Sequence, residues 1–145
     1  MARALSLSDY RALAEFRYQI RAFLSFSERA ARGHGIEPQQ HQLLLACKGL
    51  PASDRPTVGT LARRLCVEHH TAVSLVDKLA AAGLVQRAAS PVDRREVLVQ
   101  ITERGETLLA ALSELHRDQL MEVGPKLIQA LSSVLADRVR ALRER

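Results

Sequence analysis

His70, Ser74 and Lys78 follow one another at intervals of four residues. On a helix that spacing lines them along one face. An imidazole, a hydroxyl and an ammonium in a row suit hydrogen bonds to base edges and phosphates in a DNA groove. Thr71 lies beside them, and His69 sits near the start of the same segment, within reach of a phosphate or a base. Farther on, Asp93-Arg94-Arg95 puts two guanidinium groups at a polar, turn-rich point. They have the charge and reach for a narrow minor groove, where negative potential concentrates. Thr57 and Arg64 are further phosphate candidates. For Arg64 a solvent-facing or intramolecular role is equally open.

The stretch from Thr57 to Thr102 has the elements to hold these groups. Thr57 suits the N-cap of a short helix, Val58 to Leu65. Cys66, Val67 and Glu68 make a turn. A second helix, about His69 to Ala82, has a buried stripe of Ala72, Leu75, Val76 and Leu79. The opposite stripe is His70, Ser74, Asp77, Lys78 and Ala81. Gly83 supplies the left-handed residue that ends the helix. Leu84 to Arg87 and Val97 to Ile101 read as strands, the second alternating Val97, Val99 and Ile101 against Leu98 and Gln100. The tip between them is AASPVDRRE, with Ser90 and Pro91 as turn formers. A pair of helices across a short turn leaves the second free for a major groove, and the hairpin forms a wing beside it. Asp77 is expected to pair with a basic residue near the wing.

Longer helices flank this stretch. Residues 8 to 32 have helical period, with Leu13, Phe16, Ile20, Phe23, Leu24 and Ser27 on one face. Ser8 is the expected N-cap, with Asp9 in the first turn, and Gly33 and Gly35 end the helix. All five aromatic residues, Tyr10, Phe16, Tyr18, Phe23 and Phe26, fall in this helix. Tyr18 and Phe26 lie off the stripe of Phe16 and Phe23, which implies two packing partners, one of them a second subunit. Pro38 suits N1 of the next helix, which ends near Gly49 before the loop LPASDRP. Thr102 caps a fifth helix through about Met121, with Leu108, Leu112 and Leu115 on one side. Gly124-Pro125 breaks the pattern, and a sixth helix, Pro125 to Arg143, carries Leu127, Ile128, Leu131, Val134, Leu135, Val139 and Leu142.

The 145 residues suit one domain with a real core, 47% apolar and 26% charged. A net charge of +5 and a pI of about 9.9 favour an anionic partner, nucleic acid first. No apolar run suffices for a membrane span, and the N-terminus lacks the apolar core of a signal peptide. A soluble cytoplasmic protein without membrane contact is expected. The expected fold is mainly α with a small β-hairpin wing. Residues of about 38–102 form the winged helix-turn-helix lobe, and about 8–33 and 103–145 the dimerisation helices, all in a single domain.

The run LARRLCVEHHTAVSLVDKLAAAGLVQRAASPVDRREVLVQITERG resembles the MarR family of winged-helix transcription regulators. The most specific pieces are Val76-Asp77-Lys78-Leu79, Gly83-Leu84-Val85, Asp93-Arg94-Arg95 and Leu98 through Thr102. The resemblance implies a two-fold dimer built from the first, fifth and sixth helices, bound to a pseudo-palindromic operator. It implies repression, with release by a small molecule or an oxidant. By the family pattern Arg95 is the inserted wing residue, and Asp93 orients the tip through an ion pair. Many family members carry Arg where this chain has Ser74, so a bidentate guanine contact is missing there and readout leans on His70.

For the release signal two routes stand open. A small aromatic or apolar anion needs apolar walls and one or two cationic or hydrogen-bonding groups. Tyr18, Arg21, Phe26 and His41 supply these near the expected junction of the first helix and the lobe, although Tyr18 and Phe26 equally suit core or dimer contacts. The alternative is a thiol-based redox-sensing repressor using Cys47 or Cys66. Neither has zinc-knuckle or CxxC spacing, and both are expected as free thiols in a reducing compartment. Peroxide-sensing members of the family keep their reactive cysteine in the first helix, where this chain has none. Adjacent His69 and His70 point about 100° apart on a helix, so no metal is expected. No cofactor is expected either. No Ser-His-Asp set, Gly-rich phosphate loop or metal-ligand cluster supports an enzyme. A helical protein-interaction module without DNA binding is the remaining rival, against which the wing arginines argue.

Overall fold

The structure, a computed structural model, describes residues 4–143, with side chains for all of them except 137–142. In order the elements are α1 (Leu7–Gly33), α2 (Pro38–Lys48), α3 (Val58–Leu65), α4 (His69–Ala81), β1 (Val85–Ala89), β2 (Val97–Ile101) and α5 (Glu103–Arg143). The chain is mainly helical, with a two-stranded antiparallel hairpin. It divides into two compact units. One is the chain up to Ser27 with the chain from Leu115, and the other is Glu28–Glu114.

Local chemistry sets the ends of these elements. Ser6, not Ser8, caps α1: its hydroxyl accepts from the Asp9 amide at 3.2 Å, and the Asp9 carboxylate accepts from the Ser6 amide at 2.7 Å. The spacing Ser6-x-x-Asp9 satisfies two amides reciprocally, which a cap at Ser8 would forgo. At the other end Gly35 takes φ +82°. Its amide bonds to the Arg32 carbonyl, and the Ile36 amide reaches back to Ala31. That motif turns the chain and seats Ile36 in the core. Pro38 opens α2, where the Glu37 amide donates to Gln40 Oε1 at 2.8 Å.

The core of the Glu28–Glu114 unit gathers Leu43, Leu44, Leu61, Leu75, Val76, Leu79, Val99 and Leu112. Gly105, in the first turn of α5, permits a close approach there. A Cβ at that position would run into the Leu84 carbonyl and lie 2.7 Å from Ile101 Cγ2. Thr102 caps α5, accepting from the Gly105 amide at 3.1 Å and donating to the Gly83 carbonyl at 2.7 Å.

The hairpin pairs Val85 with Ile101, Arg87 with Val99 and Ala89 with Val97. β1 therefore begins one residue later and ends two residues later than the expected Leu84 to Arg87. Ala88 and Ala89 join the ladder opposite Leu98 and Val97 because nothing in an alanine side chain opposes it, and the tip shortens to Ser90 through Glu96. On the far edge of β2 the Val99 amide bonds to the Pro56 carbonyl at 2.8 Å, and Thr57 bridges to Leu98. The loop before α3 is thereby fixed to the wing.

The expected break at Gly124-Pro125 does not occur. α5 is one helix of 41 residues with Pro125 inside it. Among the side chains withdrawn from solvent, Leu109, Leu112, His116, Gln119, Val123, Leu127, Ala130 and Val134 keep a three-and-four spacing straight through the proline. Pro125 lies on the exposed side, so water can serve the Met121 carbonyl that loses its amide partner. One packed face outweighs one missing hydrogen bond. Of the residues expected on a sixth helix, Val139 and Leu142 have side chains outside the described residues.

In the other unit the rings of Phe23 and Phe26 meet the His116 imidazole edge-on, at centroid distances of 6.0 and 5.7 Å. His116 Nε2 lies 2.7 Å from the buried Ser27 hydroxyl. Phe26 thus shares the packing of Phe23 instead of opposing it, since residues three apart lie on neighbouring ridges. Tyr18 stays outside, exposed, as do Leu13 and Leu24 of the expected stripe.

Candidate nucleic-acid interface

α3 and α4 are joined across Cys66, Val67 and Glu68. Cys66 adopts the left-handed conformation, φ 56°, and its amide returns to the Arg63 carbonyl while that of Val67 returns to Ala62. The reversal closes the last turn of α3 and starts α4 immediately. Ala72, Leu75, Val76 and Leu79 of α4 are buried, as the spacing predicts, while His69, His70, Ser74 and Lys78 are exposed and Thr71 is half-buried. Glu68 stands at the N-cap without a side-chain capping bond. Among the described residues no side chain caps the first amides of α4, whose positive end lies beside that one carboxylate.

Asp77 pairs with Arg87 on β1, the partner near the wing that the sequence led us to expect. The pair ties the hairpin to α4. Within the tip, the buried Ser90 hydroxyl accepts from the amides of Val92 and Asp93 at 3.3 and 3.2 Å. Asp93 Oδ1 accepts from the Arg95 amide at 2.9 Å and from its Nε at 3.2 Å. These bonds, the backbone amide first and the guanidinium second, hold the Asp93 carboxyl below the usual carboxylate range. The Arg95 side chain remains 91% exposed despite its partner, and Arg94 is exposed as well.

Two residues of this apparatus escaped sequence reasoning. Arg55 Nη2 bonds to Glu96 Oε1 at 2.6 Å, clamping the loop before α3 to the base of the tip. Glu96 Oε2 is buried with no partner among the described residues. The two lie 41 residues apart in sequence, and no local pattern announces the pairing.

The remaining candidates fall as follows. The Thr57 hydroxyl caps α3, accepting from the Thr60 amide at 3.2 Å and donating to Thr60 Oγ1 at 3.0 Å. Arg64 is exposed on the last turn of α3. Tyr18 and Arg21 are exposed on α1, Phe26 rests on His116, and His41 is buried on α2. Cys47 is half-buried and donates to the Val99 carbonyl at 3.3 Å. Burial first, and the Glu106 carboxylate second, push its thiol up to about 11. Cys66 is exposed. Among the described residues no group of three or more His, Cys, Asp and Glu could hold a metal ion. No helix among them is long and apolar enough to cross a membrane.

The MarR family model matches residues 34–96, from the end of α1 to the wing tip. Over these residues the chain resembles the MarR family. A protein named for transcriptional regulation of the hcr operon in Thauera aromatica is 26% identical over 126 residues, spanning 87% of this chain and 74% of that protein. AbsC, a MarR family transcriptional regulator from Streptomyces coelicolor, has the same fold at a TM-score of 0.73 and 18% identity, over 99% of this chain and all of AbsC. A MepR mutant from S. aureus, solved bound to an oligodeoxyribonucleotide, aligns at a TM-score of 0.62 and 18% identity over 88% of this chain and 94% of its own. The fold shared with these structures is the winged helix-turn-helix, built here from α2, α3, α4 and the hairpin.

Proposed function

We propose that this chain is a MarR-type, sequence-specific DNA-binding transcription regulator. In this reading it acts in the cytoplasm as a homodimer on a pseudo-palindromic operator, represses, and is released by a small organic anion. One observation carries the proposal. α4 buries one stripe and turns His70, Ser74 and Lys78 outward, beside a wing whose tip displays Arg94 and Arg95. His70, Thr71 and Ser74 would read base edges, and His69, Lys78, Thr57 and Arg64 would meet phosphates. Arg95, oriented by Asp93, would enter the minor groove with Arg94 at its edge. Tyr18, Arg21, Phe26 and His41 stand as candidate effector contacts.

The test is a gel shift on the DNA upstream of the protein's own gene, run over a salt series. A specific complex whose affinity falls steeply with salt is the expected result. Absence of any specific complex at low salt would leave the protein-interaction module as the better reading. The redox alternative makes its own demand: peroxide must release the complex, and Cys47→Ser with Cys66→Ser must abolish that release.

A further inference from the structure

The carboxyl end of α4 is held by hydrogen bonds more than by packing. Its buried stripe stops at Leu79, and Ala81, Ala82 and Gly83 are exposed. The last carbonyls of a helix have no amide partners within it. Here three successive carbonyls accept from the head of α5. Ala82 accepts from Arg104 Nη1 at 3.1 Å, Gly83 from the Thr102 hydroxyl at 2.7 Å, and Leu84 from the Thr102 amide at 3.1 Å. The Ala82 amide in turn returns to the Lys78 carbonyl at 3.0 Å, so the turn that Arg104 grips is the one that carries Lys78. Arg104 is exposed in the first turn of α5 and, among the described residues, stands in no ion pair. A cation is out of place at the amino end of its own helix, where the dipole is positive. The same guanidinium meets the carboxyl end of α4, where the dipole is negative and a charged donor satisfies a carbonyl. Its placement serves α4 rather than α5.

We infer that Arg104 is a positioning residue for base recognition: from α5 it locks the carboxyl end of α4 at one placement against the hairpin. Leu84 leads straight into β1, so this junction ties α4, the wing and the head of α5 together. The lever is long. His70 lies about 18 Å along the helix from Ala82, so a pivot of about 3° at this end moves it by about 1 Å. Hydrogen bonds to base edges weaken steeply over such a shift, whereas a flexible lysine follows a phosphate through it. The lock therefore acts on specificity more than on affinity for DNA in general. Thr102 is a poor probe of it, because its hydroxyl also caps α5. Arg104 supplies a single bond and a single charge. The role in base recognition rests on the DNA-binding reading of α4, whereas the lock does not.

The experiment compares the full chain with Arg104→Met, which keeps length but removes donor and charge, and with Arg104→Lys, which keeps both. Each is titrated against the DNA upstream of the protein's own gene and against a scrambled duplex of the same length and composition, over a salt series. Arg104→Met should bind the upstream DNA about threefold to tenfold more weakly, the loss of one charge-assisted bond at an exposed helix end. Its affinity for the scrambled duplex and its salt slope should stay those of wild type, and Arg104→Lys should restore most of the loss. Without DNA, amide hydrogen exchange at Gly83, Leu84 and Thr102 should quicken by a similar factor in Arg104→Met and not in Arg104→Lys. The inference is overturned if Arg104→Met weakens both duplexes alike with a salt slope lower by about one unit, because Arg104 is then a phosphate contact. It is equally overturned if the preference for the upstream DNA is unchanged, if exchange is unchanged, or if Arg104→Lys fares no better than Arg104→Met. A wild-type chain that shifts no operator while Arg104→Met still quickens exchange would sink the regulator reading and the recognition role with it, leaving the lock itself in place.

Discussion

Arg95 is displayed by the residue that restrains it. Asp93 takes its amide and guanidinium, fixing the backbone of the tip, yet leaves the side chain almost wholly in solvent. An exposed pair of this kind contributes little to stability, so its value lies in pre-ordering the arginine. Arg95→Ala should leave the fold intact, lower operator affinity by about 1–3 kcal/mol and lower the salt slope by about one unit. Equal affinities at matched salt would exclude the contact. The two cysteines differ in the same physical terms. With its pKa pushed from 9.0 to about 11, the Cys47 thiol keeps its proton in the folded chain after the unfolded chain has lost it. The stability this provides is complete below pH 9 and is lost as pH rises from 9 to 11. Urea midpoints for wild type and Cys47→Ala should therefore converge between about pH 8 and about pH 10.5, and a constant gap would refute the assignment. The outward face of α4, with His70, Ser74 and Lys78, was legible in the sequence because the exposed side of a helix follows from spacing alone. Arg55 and Glu96 were not, because their pairing depends on the loop before α3 lying along β2.

α3 and α4 obeyed their local signals almost to the residue, since Thr57 and Gly83 are strong end markers and the buried stripe of α4 is unambiguous. Ser8 misled because a better-spaced capping pair, Ser6 with Asp9, begins two residues earlier. Pro125 misled more seriously. A proline marks a break only where packing on its two sides is out of register, and here the semi-buried positions from Leu109 to Val134 stay in phase. That phase was present in the sequence, and weighing it above the Gly-Pro pair would have yielded one helix. The same reasoning makes Pro125→Ala a stabilising change. It restores an amide for the Met121 carbonyl at an exposed site, and the gain should be at most about 3 kcal/mol, reduced by the greater freedom of the unfolded chain. Thermal unfolding at fixed protein concentration measures it. A lower midpoint in the variant would mean that α5 depends on the bend a proline imposes.

In the single chain, the unit formed by the two chain ends leaves much apolar surface in water. Leu13, Tyr18 and Leu24 on α1 and Leu115, Met121, Ile128, Leu131 and Leu135 on α5 are all at least 40% exposed. Isolated exposed leucines need no explanation, but this many on two helices exceed what a monomer ordinarily leaves uncovered. At roughly 25 cal/mol per Å², covering even part of that surface favours association strongly, and a copy of the same chain offers the same surface in return. Light scattering at micromolar concentration should therefore give twice the chain mass of 16.0 kDa. Leu131→Asp places a charge among these side chains, at a position 42% exposed where the single chain loses little by it. The variant should fold, shift toward monomer and lose operator affinity together, because two half-sites reward only linked recognition helices. A wild-type mass near 16.0 kDa would refute the dimer. A monomeric Leu131→Asp variant that binds the operator as tightly as wild type would instead keep the dimer and remove its role in recognition.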